Sequence, residues 1–168
     1  FAPAPSIALP APLGVELNAS ARFSQIEFCG AQDNCGDEAL RDAGIVGFDA
    51  QMIPGERGQN VPADVRGPIF RGADLPQFNA DADFGVAISD DFINQMFWAA
   101  WYSGAMDIDV VEQMGESLPA AVEEASVNVM SPPVVMPGTG ATGVMFGLGN
   151  VRVSARVDAG ALMAGISG

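Results

Sequence analysis

Residues 88–104 constrain the fold more than any other stretch, because they form one predicted helix with both ends marked. The segment runs ISDDFINQMFWAAWYSG. Ser89 can accept a hydrogen bond from a free N–H of the first turn, and Asp90 and Asp91 follow where the helix dipole favours negative charge. Gly104 supplies the left-handed residue that commonly ends a helix. Almost every face between these ends is apolar, so we expect a helix enclosed by protein or by lipid.

Composition limits the classes of protein that the chain can belong to. Its 168 residues suffice for one domain or parts of two, and a hydrophobic fraction of 49% permits a sizeable core. No run of apolar residues reaches the roughly 18 needed for a transmembrane helix, so we expect no transmembrane span. With seven arginines, no lysine and 21 acidic residues, the net charge is -14. We therefore expect no nucleic-acid partner.

The absence of two residue types argues against catalysis. The chain has no histidine and no lysine, which removes the usual general base, the Ser-His-Asp triad, Schiff-base chemistry and a P-loop. Carboxylate pairs remain, at Asp90–Asp91 and at Asp107 with Asp109. The helix dipole explains the first pair more simply than a glycosidase site does. We expect a protein that is not an enzyme, with no catalytic and no metal-ligating residues.

Residues 1–53 are predicted to form a proline-rich arm and a β-hairpin. Four prolines make residues 1–13 an extended lead-in. Residues 15–28 alternate as a strand whose apolar parity changes near Ser24 and Gln25, which indicates a β-bulge. Residues 44–53 supply the second strand of the hairpin.

Two cysteines, Cys29 and Cys35, lie six positions apart in the polar loop at the tip of this hairpin. They are the only cysteines in the chain, and this pattern favours a local disulfide. Such a disulfide indicates an extracellular, periplasmic or outer-surface location. Whether the acidic residues of the same loop, Asp33, Asp37 and Glu38, bind a cation stays open.

Residues 54–82 are rich in proline and glycine, which predicts a linker or crossover. Residues 83–168 then form a second unit. Its expected elements, besides the helix, are short strands, one short helix and one long bent strand: strands at 84–88, 105–111, 127–130 and 134–136, a helix at 118–124, and a strand at 144–157 with a bulge at Gly149–Asn150. The apolar segment 159–168 is expected to present an edge that pairs with a partner protein.

This order of elements resembles one half of the tubular lipid-binding superfamily, which includes bactericidal/permeability-increasing protein and lipopolysaccharide-binding protein. The similarity is greatest at residues 88–94, with Gly104, Ala105 and Met106 following, and it continues through residues 127–133 and 144–157. The resemblance implies a β-rich α+β fold: a strongly curved antiparallel sheet wrapped around one long apolar helix. It also implies that residues 83–168 form an incomplete half of such a fold and that residues 1–53 are the end of a preceding half.

The expected function is that of an extracytoplasmic lipid-binding or lipid-transfer module. Acyl chains of a phospholipid or fatty acid would lie between the curved sheet and the helix, with no other cofactor. Apolar residues of the helix and of the strands are the candidate lining: Phe92, Ile93, Met96, Phe97, Trp101, Met106, Met130 and Phe146. For each of them, ordinary core packing is the alternative. The alternative function is a structural or assembly subunit of a larger complex with no bound ligand.

Overall fold

The computed structural model describes residues 6–8, 16–28, 44–68, 84–138 and 143–160. Two α-helices and eight strands lie wholly within these ranges. In chain order they are β1 Ser6–Ala8, β2 Glu16–Phe28, β3 Gly44–Ile53, α1 Asp90–Tyr102, β4 Asp107–Asp109, α2 Val110–Met114, a 3-10 turn at Gly115–Ser117, β5 Val122–Val129, β6 Val134–Pro137, β7 Val144–Gly147 and β8 Val151–Val157. The strands form three small antiparallel sheets, in the orders β1–β2–β3, β4–β5–β8 and β6–β7.

The predicted fold, a strongly curved sheet wrapped around one long apolar helix, is wrong. The longest described helix, α1, has only 13 residues, and its buried residues are Gln95, Ala99, Ala100 and Trp101. The strands divide among three sheets instead of continuing as one. Among the described residues, no helix combines the length and the apolar character that crossing a membrane would require.

The division between sheets is clearest in residues 144–157, where one long strand was expected. The chain breaks between β7 and β8, and Asn150 there has a φ of 51°. This is a left-handed conformation that ordinary strand residues do not adopt. The break therefore falls at the predicted Gly149–Asn150 position, but it is a change of sheet and not a bulge. β7 pairs with β6, whereas β8 pairs with β5.

The predicted ends of the central helix are confirmed. The Ser89 hydroxyl accepts a hydrogen bond from the Phe92 N–H at 3.2 Å, and Asp90 and Asp91 occupy the first turn. Gly104 has a φ of 81° just beyond the last helical residue. These caps are local interactions, so a short stretch of sequence suffices to predict them.

Two other local predictions are wrong. Residues 84–88 form no strand, and residues 118–124 form no helix because β5 begins at Val122 and pairs with both β4 and β8. The strand predicted at 105–111 ends early, since the Asp109 carboxylate accepts a hydrogen bond from the Glu112 N–H at 3.0 Å and starts α2. The pairing of Val122 and Glu124 with β8 overrides the local helix-start signal.

The hairpin of residues 15–28 and 44–53 is confirmed, together with its bulge. β2 and β3 pair antiparallel, and their register shifts between Phe23 and Gln25. The 13-residue β2 also pairs with β1, where Ile7 lies opposite Leu17. The bulge has a structural consequence: it returns Ile26 and Phe28 to the face that carries Phe23.

Helix α1 connects the three sheets, because one of its side chains forms hydrogen bonds with the backbone of each sheet. The Gln95 side-chain oxygen accepts from the β3 residue Met52, with 3.2 Å between oxygen and nitrogen. The Asn94 amide both donates to and accepts from the backbone of Val135 in β6, at 2.9 Å and 2.6 Å. The indole N–H of Trp101 donates to the Val129 carbonyl of β5. The helix is therefore the junction around which the sheets assemble.

Candidate functional site

One side of the β2–β3 hairpin carries a continuous row of apolar side chains, which we call the hairpin face. Directly opposed residues of an antiparallel pair project to the same side, and the observed pairs include Ala19 with Met52 and Phe23 with Phe48. The hairpin face comprises Leu17, Ala19, Ala21, Phe23, Ile26 and Phe28 of β2, with Val46, Phe48, Ala50 and Met52 of β3. The other side is mostly polar and includes an ion pair between Arg22 and Asp49 at 3.1 Å.

The inner part of the hairpin face is packed under helix α1. Leu17 is 3% exposed and Met52 is 7% exposed. They share the core cluster with Ala99, Ala100 and Ala105. This contact is the main apolar interaction between the helix and the first sheet.

The outer part of the same face is exposed to solvent. Phe23 is 65% exposed and Phe48 is 57% exposed, although their rings contact each other at a centroid distance of 4.8 Å. We call the five residues involved the outer hairpin face: Phe23, Ile26, Phe28, Val46 and Phe48, all of which are exposed. A row of aromatic and branched side chains left in water is typical of an interaction surface.

A groove of about 420 Å³ lies where the hairpin face meets the start of helix α1. This volume falls within the roughly 300–1,000 Å³ typical of small-molecule sites. The lining combines apolar and polar side chains from β3, from the segment before the helix and from α1: Phe48, Asp49, Ala50, Ala87, Ile88, Ser89, Asp91, Phe92 and Gln95. Since Phe48 belongs to both, the groove and the outer hairpin face are continuous.

The segment that enters the groove adds further apolar surface. Phe84, Val86 and Ile88 are all exposed, and Ile88 lines the groove. No strand forms over these residues, so their backbone has no sheet partner that would align them with the hairpin. The groove is thus bordered by apolar side chains from two separate parts of the chain.

Most of the predicted lining residues lie in or against the packed interior. Trp101 is buried, and Phe92 and Met106 pack against the core cluster. Ile93 and Met130 are half-buried. Of these five, Phe92 alone also lines the groove.

The other predicted lining residues are Met96 and Phe97 of α1 and Phe146 of β7. Phe97 meets Phe146 of β7 edge-on, with the ring centroids 5.4 Å apart. Phe146 and Met96 are exposed. Of the eight predicted residues, Phe92 lines the groove described above.

Sequence reasoning missed the outer hairpin face, although the necessary signal was present. At about 3.3 Å per strand residue, 13 residues of β2 extend roughly 43 Å. At 1.5 Å per helical residue, the 13 residues of α1 extend only about 20 Å. A helix of this length covers about half of such a hairpin, so comparing the two predicted lengths would have indicated uncovered apolar residues.

The groove is acidic on its polar side. Asp49 and Asp91 line it, and Asp90 precedes Asp91 in the same helical turn. Within the described ranges, no group of three or more acidic or cysteine side chains is arranged to hold a metal ion. The site therefore offers mainly apolar surface, because the Asp49 carboxylate is paired with Arg22 on the polar side of the hairpin.

Several predicted features lie outside the described residues. The disulfide of Cys29 and Cys35 and the cation site of Asp33, Asp37 and Glu38 fall in residues 29–43. The apolar edge expected at 159–168 falls outside them from residue 161 onward. These predictions stay predictions.

No family model, no curated protein and no solved structure matches this chain. The function is therefore argued from the geometry of the hairpin face and the groove.

Proposed function

We propose that this protein is an extracytoplasmic lipid-binding module that holds an alkyl or acyl chain along the outer hairpin face, starting from the groove. The observation that carries this proposal is the exposed row of Phe23, Phe48 and their neighbours, which continues a buried apolar face beyond its covering helix. The proposal does not require the tubular architecture, which the structure lacks. The chain would lie on one face of a hairpin instead of inside a curved sheet.

The energetics favour an extended apolar ligand on this surface. Each methylene removed from water contributes roughly 0.8 kcal/mol, and the aromatic rings of the outer hairpin face are buried by the same contact. Phe23 and Phe48 are already in contact, so the ligand need not order them from a flexible state. Such preorganised rings lose little entropy on binding.

The chemistry of the groove favours binding over catalysis. The Ser89 hydroxyl accepts the Phe92 N–H as a helix cap, and the chain contains no histidine or lysine that could activate it. The Gln95 oxygen accepts the Met52 N–H. The polar groups at the groove thus have structural roles that a reaction would have to disrupt.

The proposal is tested by extraction and by probe binding. Organic extraction of the purified protein followed by mass spectrometry should release lipid, and an uncharged fluorescent amphiphile should bind to the extracted protein. Phe23→Ser should weaken probe binding by about tenfold or more, since it removes an aromatic contact from the outer hairpin face. Gln51→Ser, on the opposite side of the same hairpin, is the matched control and should leave binding unchanged.

Two results would contradict the proposal. One is a protein that releases no lipid and binds no probe. The other is an equal loss of binding in Gln51→Ser and Phe23→Ser while circular dichroism shows both variants folded, because the probe would then not report on the hairpin face.

A second candidate function, a structural subunit, is favoured by strand β8. β8 is at the edge of its sheet and pairs only with β5 in the described part of the chain. Val151, Val153 and Val157 share one face of β8 and are exposed. An exposed apolar edge strand can pair with a strand of a partner protein. Sedimentation that shows a monomer at every concentration, alone and with proteins from the same compartment, would count against this function.

A further inference from the structure

We infer that strand β8 pairs with the β8 strand of a second copy of this chain, antiparallel and centred on Ser154. This inference rests on the second candidate function, a structural subunit, and names its partner; it does not depend on lipid binding. Two three-stranded sheets would then join as one six-stranded sheet, in the order β4–β5–β8–β8–β5–β4.

The first argument is that β8 presents a complete free edge. All seven residues of β8 are exposed, and in the described part of the chain β8 pairs only with β5. The Met130 N–H donates to the Asn150 carbonyl at 2.9 Å. Alternation along an antiparallel ladder then directs the backbone groups of Arg152, Ser154 and Arg156 toward β5. The N–H and C=O groups of the residues between and beside them point away from β5: Val151, Val153, Ala155 and Val157.

The second argument is the symmetry of the β8 sequence. Residues 151–157 read VRVSARV, which is the same in both directions except that Ala155 takes the place of a second Val153. A two-fold axis through Ser154 therefore sets Val151 opposite Val157, and it sets Val153 opposite Ala155. Every residue whose backbone points outward then meets one whose backbone also points outward, so all of these groups find hydrogen-bond partners. Opposed residues share a face, so the apolar side chains of both copies lie on one side of the joined sheet.

The third argument is local charge complementarity. The exposed Arg152 side chain makes no ion pair with any described residue. Arg156, in contrast, has two carboxylates: its guanidinium is 3.1 Å from Glu123 and is also bonded to Glu124. In the inferred register Arg152 of one copy lies opposite Arg156 of the other. Two opposed arginines alone would be unfavourable, but the excess carboxylate beside Arg156 can accept the Arg152 guanidinium.

The net charge of -14 on each copy opposes association at low ionic strength. At 0.15 M salt, charges farther apart than roughly 8 Å are largely screened, whereas the contact of Arg152 with the carboxylates is much shorter. A pair of seven-residue strands is also a small interface. We therefore expect a weak dimer, with a dissociation constant in the micromolar range at this ionic strength.

Cysteine cross-linking tests both the partner and the register. Ser154→Cys places a thiol at the two-fold axis, where the Cα atoms of opposed residues are about 4.5–5.5 Å apart, within the reach of a disulfide. We expect a covalent dimer on a non-reducing gel after mild oxidation. Ser126→Cys is the matched control, because Ser126 lies opposite Ser154 on the central strand β5 and cannot reach the second copy. It should give no more dimer than the unaltered chain, which contains two cysteines of its own.

Sedimentation equilibrium at 0.15 M salt measures the same association without a cross-link. Val153→Pro removes an outward N–H that β5 does not use and should weaken the dimer by about tenfold or more. Val153→Thr retains the N–H and the branched shape, and should leave the dimer unchanged. Arg152→Glu sets a carboxylate against Glu123 and Glu124 of the second copy and should weaken the dimer several-fold. Arg22→Glu, the same change of charge on the hairpin, should not.

Three results would overturn the inference. The first is a monomer at every concentration, and the second is an equal yield of cross-linked dimer in Ser154→Cys and Ser126→Cys. The third is an equal effect of Arg152→Glu and Arg22→Glu while circular dichroism shows both variants folded. If the monomer nevertheless pairs with a different protein through β8, the second candidate function remains and only the second copy is excluded. Lipid binding is measured separately with the fluorescent amphiphile and is unaffected by any of these results.

Discussion

The two ends of the β2–β3 hairpin have the same alternating pattern of apolar residues but differ in how deeply those residues are buried. Both carry apolar residues at alternate positions on one face, and β2 and β3 are paired antiparallel at both ends, on either side of a bulge that shifts the register. Leu17 and Met52 at the inner end are buried under helix α1, whereas Phe23 and Phe48 at the outer end are exposed. Alternation thus identifies which side chains share a face, but it does not identify what covers that face.

Burial at the inner end depends on the position of the helix. Gln95 bonds α1 to β3, and Asn94 bonds the same helix to β6 on another sheet. These contacts place the small residues Ala99 and Ala100 of α1 in the core cluster with Leu17 and Met52. The helix is shorter than the hairpin, so the outer end receives no equivalent cover from it.

The comparison is tested most directly by truncating one residue at each end of β3. Met52→Ala should lower the free energy of unfolding by about 2–5 kcal/mol, because it opens a cavity under the helix. Phe48→Ala should change it by no more than about 0.5 kcal/mol, because the side chain is largely in water already. Urea denaturation of the two variants measures both effects. A loss in Phe48→Ala as large as that in Met52→Ala would mean that the outer hairpin face is covered in solution.

A smaller loss of stability is expected when the hydrogen bonds between helix α1 and strand β6 are removed. Asn94→Ala should lower the free energy of unfolding by about 1–3 kcal/mol, because it leaves the half-buried N–H and C=O of Val135 without their partner. Asn60→Ala is the matched control: this residue also makes two hydrogen bonds, to Asp107 and Asn128, but they are exposed and water can replace them. Equal losses in the two variants would show that Asn94 contributes no more than a surface hydrogen bond.

The smallest effect is expected at the start of the helix. Ser89→Ala removes the cap on the Phe92 N–H and should lower the free energy of unfolding by about 0.5–2 kcal/mol. Ser89→Asp keeps an acceptor at this position and should retain most of the stability. Urea denaturation of the pair separates capping from the loss of a side chain, and equal destabilisation by alanine and aspartate would contradict the capping role.

Predictions from the sequence succeeded where the determining interaction is local. The ends of α1 follow from Ser89 and Gly104, and the bulge in β2 follows from the change of parity near Ser24 and Gln25. Predictions failed where a distant partner decides the outcome. Residues 118–124 carry helix-start residues, yet β5 begins at Val122 because Val122 and Glu124 pair with the distant strand β8.

For the candidate site, the sequence likewise indicated which residues are apolar but not where each of them lies in the fold. The apolar character of the helix indicated Phe92, which lines the groove. It also indicated Trp101, which is buried against β5 and bonded to Val129. The residues of the outer hairpin face were visible as an alternating pattern, but a pattern on one hairpin contains no information about the length of the helix that packs against it.

By itself, the sequence determined the caps of α1, the register-shifting bulge of β2 and the acidic charge, because each depends on neighbouring residues or on composition alone. The tertiary structure decided which strands share a sheet and which apolar side chains remain in water. Those outcomes depend on pairing between residues far apart in the chain, where strand propensity gives little guidance. The helix that the sequence marks most clearly proved to be the junction of three small sheets, and the surface it leaves uncovered is the one to which we assign the ligand.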